Sequence, residues 1–542
     1  MTNDRIGARR LRAARGVALL TAAVIAFAPA AGAAAGAAPS TAAPAVPASA
    51  KGTAAPFRED VVTAGTDDAD ADAAVDAAVD RYLAEYLRVH RTPGLVQVTL
   101  ADGAVRVRVH GTTGSGAPVG EDTPMRIGSM SKAFTALAVL QQVDAGRFEL
   151  DDPVAGLLPE FRLADDRYRS ITVEHLLTHR SGLAATGLEY AADPASAPAE
   201  TVGRLAPEKL AAAPGTTTMY SNAGYAVLAR LVERTAAGSG APGEPGDAVD
   251  FDEYLERNVF EPLGLTSTTV TERCDTEPAG LDRGFSLLGP ARVAVPELPL
   301  ACAGSGGIVS TARDMTAWLR FQVGDGASAT GERLLRAETF RAFHDVPASD
   351  TEYGYGWHGT TAGDDDAPLV GHGGTLATFA SGIELSPRTG TGAVVLANAA
   401  GDPMALTHDA VVAVDGGTPL PMTNPFDPFN AVVVGLAALA LLAGVLVVVR
   451  SRRWAERRAA GSRRATVLRL VPLALVTLLG AALPWLGATL MGLSEPVAAY
   501  RVVLWLYPAV VLLGLALVLG AGGGLAARLV RLGSAPARPT QA

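Results

Sequence analysis

Lysine is almost missing from this 542-residue chain: Lys51, Lys132 and Lys209 stand against 42 arginines. A chain that takes its positive charge from arginine needs a reason for a lysine inside an apolar segment. An amine can lose its proton at accessible pH, and a guanidinium cannot. Lys51 falls in an Ala/Pro-rich stretch and Lys209 in a polar one, but Lys132 sits in Met130-Ser-Lys-Ala-Phe-Thr-Ala-Leu-Ala-Val-Leu140. Cysteine is equally scarce. Cys274 and Cys302 have no second Cys or His at ligand spacing, which excludes a metal pair. One disulfide between them and two buried thiols both stay open. A basic surface is also lacking: the formal net charge of −10 argues against nucleic acid as a partner. No Gly-x-Ser-x-Gly elbow, Walker loop or dinucleotide fingerprint occurs. His175 and His179 have helical i,i+4 spacing without the Glu of the zinc motif His-Glu-x-x-His, and so read as structural. No cofactor and no metal are implied.

Long uncharged runs are confined to the two ends. Residues 1–38 read as a secretory signal peptide, with arginines at positions 5, 9, 10, 12 and 15, an apolar stretch from Gly16 to Ala28, and Ala-x-Ala options at Ala31–Ala33 and Ala35–Ala37. Residues 39–72 are rich in Ala, Pro and Asp and read as a flexible linker. After a short juxtamembrane linker at 416–430 come three runs long enough to cross a bilayer: Ala431–Val449, Leu470–Leu490, and Val502 to about Ala527. Arginines crowd the 450–466 loop and recur at Arg528 and Arg531, so the positive-inside rule puts that loop and the 528–542 tail in the cytoplasm. Residues 73–415 then form an extracytoplasmic domain of a multi-pass cell-membrane protein, with membrane lipid as one partner. The signal peptide gives the same orientation from the other end of the chain.

Within that domain, Val75, Val79, Tyr82, Leu83 and Leu87 share one helical face. Val96–Leu100 and Ala104–Val109 alternate about the turn Ala101-Asp-Gly103, a hairpin signature. Residues 130–142 are apolar nearly all round, as in a buried helix. Strand-like segments return at Phe379–Leu385 and Gly392–Leu396. Strands from both ends of the domain flanking a helical middle predict an α+β fold, with one antiparallel sheet and an inserted helical region.

Three short elements carry chemistry. Ser129-Met-Ser-Lys132 opens the buried helix, and residues three apart share a helix face, so the amine reaches the hydroxyl. Burial favours a neutral amine able to take the serine proton. A Ser before a helix is equally a common cap. Tyr220-Ser-Asn222 precedes another helical run: a tyrosine near amines can relay protons with a lowered pKa, and an amide can hold a carbonyl. His372-Gly373-Gly374-Thr375 stands before a strand, where paired glycines let a substrate lie along the backbone.

Together, in this order, the three elements resemble the serine β-lactamase and penicillin-binding protein family, especially its class C β-lactamase, D,D-carboxypeptidase and esterase branch. The likeness extends through Pro124-Met-Arg-Ile-Gly-Ser-Met-Ser-Lys-Ala-Phe134, Leu150-Asp-Asp-Pro153, Ile171-Thr-Val-Glu-His-Leu-Leu-Thr-His-Arg-Ser-Gly-Leu183, Gly304-Ser-Gly-Gly-Ile-Val-Ser-Thr-Ala-Arg-Asp314 and Gly354-Tyr-Gly-Trp357. The resemblance implies Ser129 as nucleophile, Lys132 and Tyr220 as the base pair, Asn222 as substrate holder, and the Ser129 and Thr375 amides as an oxyanion hole. It implies a hydrolase acting through an acyl-enzyme on esters, amides or D-amino-acid peptides, including those of the cell wall. A β-lactamase and a penicillin-binding sensor are the alternatives. One departure is His372, where β-lactamases usually carry Lys: a neutral ring attracts a substrate carboxylate less.

Overall fold

The computed structural model describes residues 58–62, 69–183, 195, 197–236, 249–288, 291–300, 302–346, 353–362, 367–417, 426–458, 461–490, 502–504 and 506–534. The expected signal peptide lies outside them, as do most of the juxtamembrane linker and the end of the C-terminal tail.

In chain order the strands are β1 (Arg58–Val62), β2 (Gly94–Ala101), β3 (Ala104–Gly111), β4 (Met125–Arg126), β5 (Thr269–Val270), β6 (Gly284–Leu288), β7 (Ala291–Val295), β8 (Ile308–Ser310), β9 (His358–Ala362), β10 (Ala367–Thr375), β11 (Ala380–Ser386) and β12 (Thr391–Ala397). The main helices are α1 (Ala69–His90), α2 (Ser131–Asp144), α3 (Asn222–Ala236), α4 (Ala312–Val323), α5 (Pro403–Val414), α6 (Phe426–Glu456), α7 (Arg463–Leu490) and α8 (Pro508–Gly533). Seven strands form one antiparallel sheet in the order β1-β3-β2-β12-β11-β10-β9. The first and last strands of the domain thus meet, with Leu100 opposite Gly392 and Leu95 opposite Ala397.

Both faces of this sheet are covered, because successive side chains of a strand point to opposite sides. Val96, Val98, Leu100, Val394 and Leu396 join the main core with Phe134, Leu137, Trp318 and Leu319. From the other face, Leu95, Val395 and Ala397 pack with Leu83, Tyr86 and Leu406 of α1 and α5. The result is three layers, with the helical insertion over the face that bears the functional motifs. Cys274 and Cys302 are bonded, with a Cα–Cα distance of 5.5 Å.

Two expectations need correction. The linker at 39–72 is interrupted: Arg58–Val62 pairs along the free edge of β3, and α1 starts at Ala69. An unpaired sheet edge offers backbone groups to any extended segment within reach, and Val61-Val62 suit it. The third apolar run does not form one helix from Val502. Pro508 opens α8, and Tyr507 before it is non-helical (φ −133°, ψ 57°), because a residue preceding proline is pushed out of the helical region. The apolar run is therefore divided into a short segment, Val502–Leu506, and α8.

The helices Pro428–Glu456, Arg463–Thr489 and Pro508–Gly533 are long and apolar enough to cross a membrane. They approach closely through glycine: a Cβ on Gly444 would lie 2.2 Å from Gly520, and one on Gly480 would lie 2.7 Å from Gly514. Small residues of this kind let membrane helices pack backbone to backbone.

Candidate active site

The chain from Ile127 into α2 makes a 3-10 turn over Gly128–Met130. Ser129 caps nothing: the first residues of α2 have no side-chain cap. The turn rests on the end of β10. A Cβ on Gly374 would stand 2.0 Å from the Ile127 carbonyl oxygen, and Ser381 Oγ donates to that same oxygen at 2.7 Å. Paired glycines read as room for a substrate; at Gly374 the backbone they admit is the protein's own. Gly128, at φ +49°, faces the Thr375 backbone nitrogen, which brings the Ser129 turn and the Thr375 amide together.

Lys132 is completely buried. Its Nζ lies 2.8 Å from Asn222 Oδ1, 2.7 Å from the Ser305 carbonyl oxygen and 3.1 Å from Ser129 Oγ. Burial holds the amine well below its ordinary value. A neutral amine has two N–H donors and one lone pair. The donors match the two oxygens that can only accept, and the lone pair is left for the Ser129 hydroxyl. Tyr220 also hydrogen-bonds Ser129. The residue as a whole is 40% exposed, while desolvation raises the phenol above its ordinary range. This corrects the expectation of a lowered tyrosine: Lys132, the amine nearest the ring, is itself desolvated, so no strong positive charge offsets burial. The phenol keeps its proton and can donate to Ser129 Oγ. The site can thus pass a proton from serine to amine and present a phenol to a departing group.

Asn222 begins α3 and holds Lys132 through its oxygen, a contact that the substrate-holding role did not anticipate. His372 departs further. It is buried, its Nδ1 lies 2.7 Å from the Gly373 carbonyl oxygen and its Nε2 lies 2.8 Å from the Tyr353 hydroxyl. A carbonyl only accepts, so Nδ1 carries the proton and Nε2 accepts from Tyr353. Desolvation, with His358 and Lys132 close by, keeps this ring neutral. His372 therefore braces the strand through Tyr353 and the Gly373 carbonyl. Gly373, Gly374 and Thr375 follow it along β10, with Thr375 exposed at the strand's end. His175 completes the capping box of a short helix, and His179 Nδ1 accepts from the Ser221 amide.

Sequence reasoning missed Ser305, Tyr353 and Glu297. Glu297, also buried, accepts from the Leu298, Ala377 and Thr378 amides and from the Thr378 hydroxyl at 2.7–3.0 Å. It holds the turn that follows Thr375. Only the Gly304-Ser-Gly-Gly run hinted at Ser305, since it is a backbone carbonyl that acts there.

Desolvation holds His344 and His358 at about 4 and lowers His179 and His372 well below their ordinary 6.5. For a base whose folded pKa is depressed, the stabilising contribution is present above the unfolded value and is lost as pH falls through the folded one. Thermal stability is therefore expected to fall between pH 6.5 and 4, by on the order of 2 kcal/mol from each of His344 and His358. Calorimetry of the chain in detergent at stepped pH checks this; a flat profile across that window would refute it.

The β-lactamase family model matches residues 79–417. Penicillin-binding protein 4 of Amycolatopsis lactamdurans is 29% identical over 324 residues, covering 57% of this chain and 81% of that protein. Protein flp of Staphylococcus aureus (strain MRSA252) is 26% identical over 339 residues, 61% of this chain and 64% of its own length. Two solved structures share the fold. The octameric penicillin-binding protein homologue from Pyrococcus abyssi has a TM-score of 0.52 at 24% identity, covering 66% of this chain and 81% of that one. A D-stereospecific amidohydrolase from Streptomyces sp. has a TM-score of 0.50 at 22% identity, covering 63% and 97%. With the sheet, the Ser129–Lys132 pair and the family match in agreement, the chain belongs to the β-lactamase family of serine hydrolases.

Proposed function

We propose that the protein is a membrane-anchored extracytoplasmic serine hydrolase that acts through a Ser129 acyl-enzyme on uncharged ester, amide or D-amino-acid peptide groups. The observation that carries this reading is the buried Lys132 amine, within hydrogen-bond distance of two acceptor oxygens and of Ser129 Oγ. Oγ attacks the carbonyl carbon as its proton passes to Nζ, and the oxyanion forms against the Ser129 and Thr375 amides. The proton then reaches the leaving group through Lys132 and the Tyr220 phenol. Water, deprotonated by the same pair, hydrolyses the acyl-serine and frees the enzyme.

His372 supports uncharged substrates over free carboxylates. Its ring is neutral, and both nitrogens are committed to the protein. The β-lactam reading draws on the relative named as a penicillin-binding protein. A panel of simple esters, D-amino-acid amides and penicillins, turned over by the full chain in detergent, separates the two. Ester or amide turnover with only slow penicillin acylation is expected; fast penicillin hydrolysis with inert esters would reverse the choice.

The arginines of the 450–464 loop support an outward-facing catalytic domain. Protease added to intact spheroplasts is expected to digest the catalytic domain and spare that loop. Cleavage within the loop would overturn the orientation.

A further inference from the structure

Of the residues cut off from α8 by the Tyr507–Pro508 break, Val502 and Val503 are buried against the catalytic domain, while Leu504 is exposed. Val502, Val503 and Ala488 form one apolar cluster with Leu298 and Ala377, and Leu300, Leu506 and Tyr507 pack around it. Leu298, Leu300 and Ala377 belong to the catalytic domain; the others flank the membrane helices α7 and α8. Ala377 lies in the turn between β10 and β11, two residues after Thr375, or roughly 7 Å along an extended chain. Glu297 grips the same turn from the residue next to Leu298. The end of the strand bearing the Thr375 amide is therefore seated on the membrane bundle and is not carried on a loose tether. The contact is made at the 488–507 end of the bundle, across from the arginine loop that joins α6 to α7.

From this seating, and resting on the hydrolase reading above, we propose that the site takes long-chain fatty acyl esters whose chain stays in the adjoining leaflet while the ester rises to Ser129. The neutral, committed His372 and the exposed Tyr220 suit an uncharged ester with apolar surroundings. Ser129 Oγ bonds to the acyl carbon as the bond to the alcohol oxygen breaks. The serine proton leaves on the alcohol, and water releases the fatty acid.

The test uses the full chain reconstituted in phosphatidylcholine vesicles, with p-nitrophenyl palmitate in the same or in separate vesicles and with soluble p-nitrophenyl acetate. Same-vesicle palmitate turnover is expected to exceed separate-vesicle turnover by about tenfold or more through effective concentration. Joint replacement Val503→Asn and Leu506→Asn should lower the same-vesicle palmitate rate by about tenfold through lost positioning, leaving acetate turnover unchanged and so reporting an intact fold. A double variant that keeps its palmitate rate, or equal rates in the two vesicle arrangements alongside active acetate hydrolysis, overturns the proposal alone. Failure to hydrolyse either ester overturns the ester reading of the site and this proposal with it.

Discussion

Lys132→Arg is expected to lower acylation of a simple ester by at least two orders of magnitude. Arginine does not deprotonate near neutral pH and so cannot take the serine proton, and general-base help contributes about 10²–10⁴-fold. The surroundings sharpen the expectation. Lys132 is fully enclosed, with two acceptor oxygens and a hydroxyl around Nζ and burial as the force that neutralises it. A guanidinium has no lone pair to turn toward Ser129, and its bulk would crowd this pocket. Lys132→Met separates chemistry from packing, since it approximates the volume without an amine. It should lose acylation as fully while the fold survives, at a cost of about 1–3 kcal/mol for the hydrogen bonds that Lys132 gives to Asn222 and Ser305. Stopped-flow acylation with parallel thermal melts reads both quantities. An arginine variant retaining more than about a tenth of the rate, below the low end of a general-base contribution, defeats the assignment.

Ser129→Ala removes covalent labelling by fluorophosphonate or penicillin probes altogether and leaves the melting temperature close to that of the parent. The second half of this expectation follows from the turn. A helix-capping serine would cost about 0.5–2 kcal/mol on replacement by alanine, yet Ser129 caps nothing here. Its hydroxyl meets only Lys132 and Tyr220 among the contacts described. Gel fluorescence after probe treatment, with a melt on the same sample, checks both halves. Undiminished labelling of the alanine variant would show that another serine is the nucleophile.

Much of this was legible before any coordinates. Spacing alone put Ser129 beside Lys132, because a helix repeats its face every three to four residues, and the scarcity of lysine singled out the amine. The hairpin of β2 and β3 and the strands near 380 and 392 followed from alternation and turn residues. What escaped notice depended on contacts between distant segments. Ser305 serves through a backbone carbonyl, which no side-chain pattern records. His372 was visible as a neutral ring, but its engagement by Tyr353 was not. Glu297 lies far in sequence from the turn it clamps. The break at Tyr507 was present as a single proline, passed over because hydropathy averages across it.

The strand order has a consequence for biogenesis. In the catalytic sheet β2 lies between β3 and β12, with Leu100 opposite Gly392. A chain that crosses the membrane amino end first delivers β2 and β3 early and must wait for nearly the whole domain before β12 arrives. Until then the hairpin exposes an unpaired, apolar edge, the kind of surface on which chains aggregate. Such distant pairing is also slow, since a long loop must close before the contact repays its entropy. The candidate membrane spans begin at Pro428, soon after α5, so in a chain exported as proposed the sheet would close only as the anchor reached the translocation machinery. In such a chain, folding of the catalytic centre and insertion of the anchor would be nearly simultaneous events, and a ribosome stalled before residue 391 would leave a fragment with every proposed catalytic side chain present and the β2–β3 strands unjoined to β10–β11.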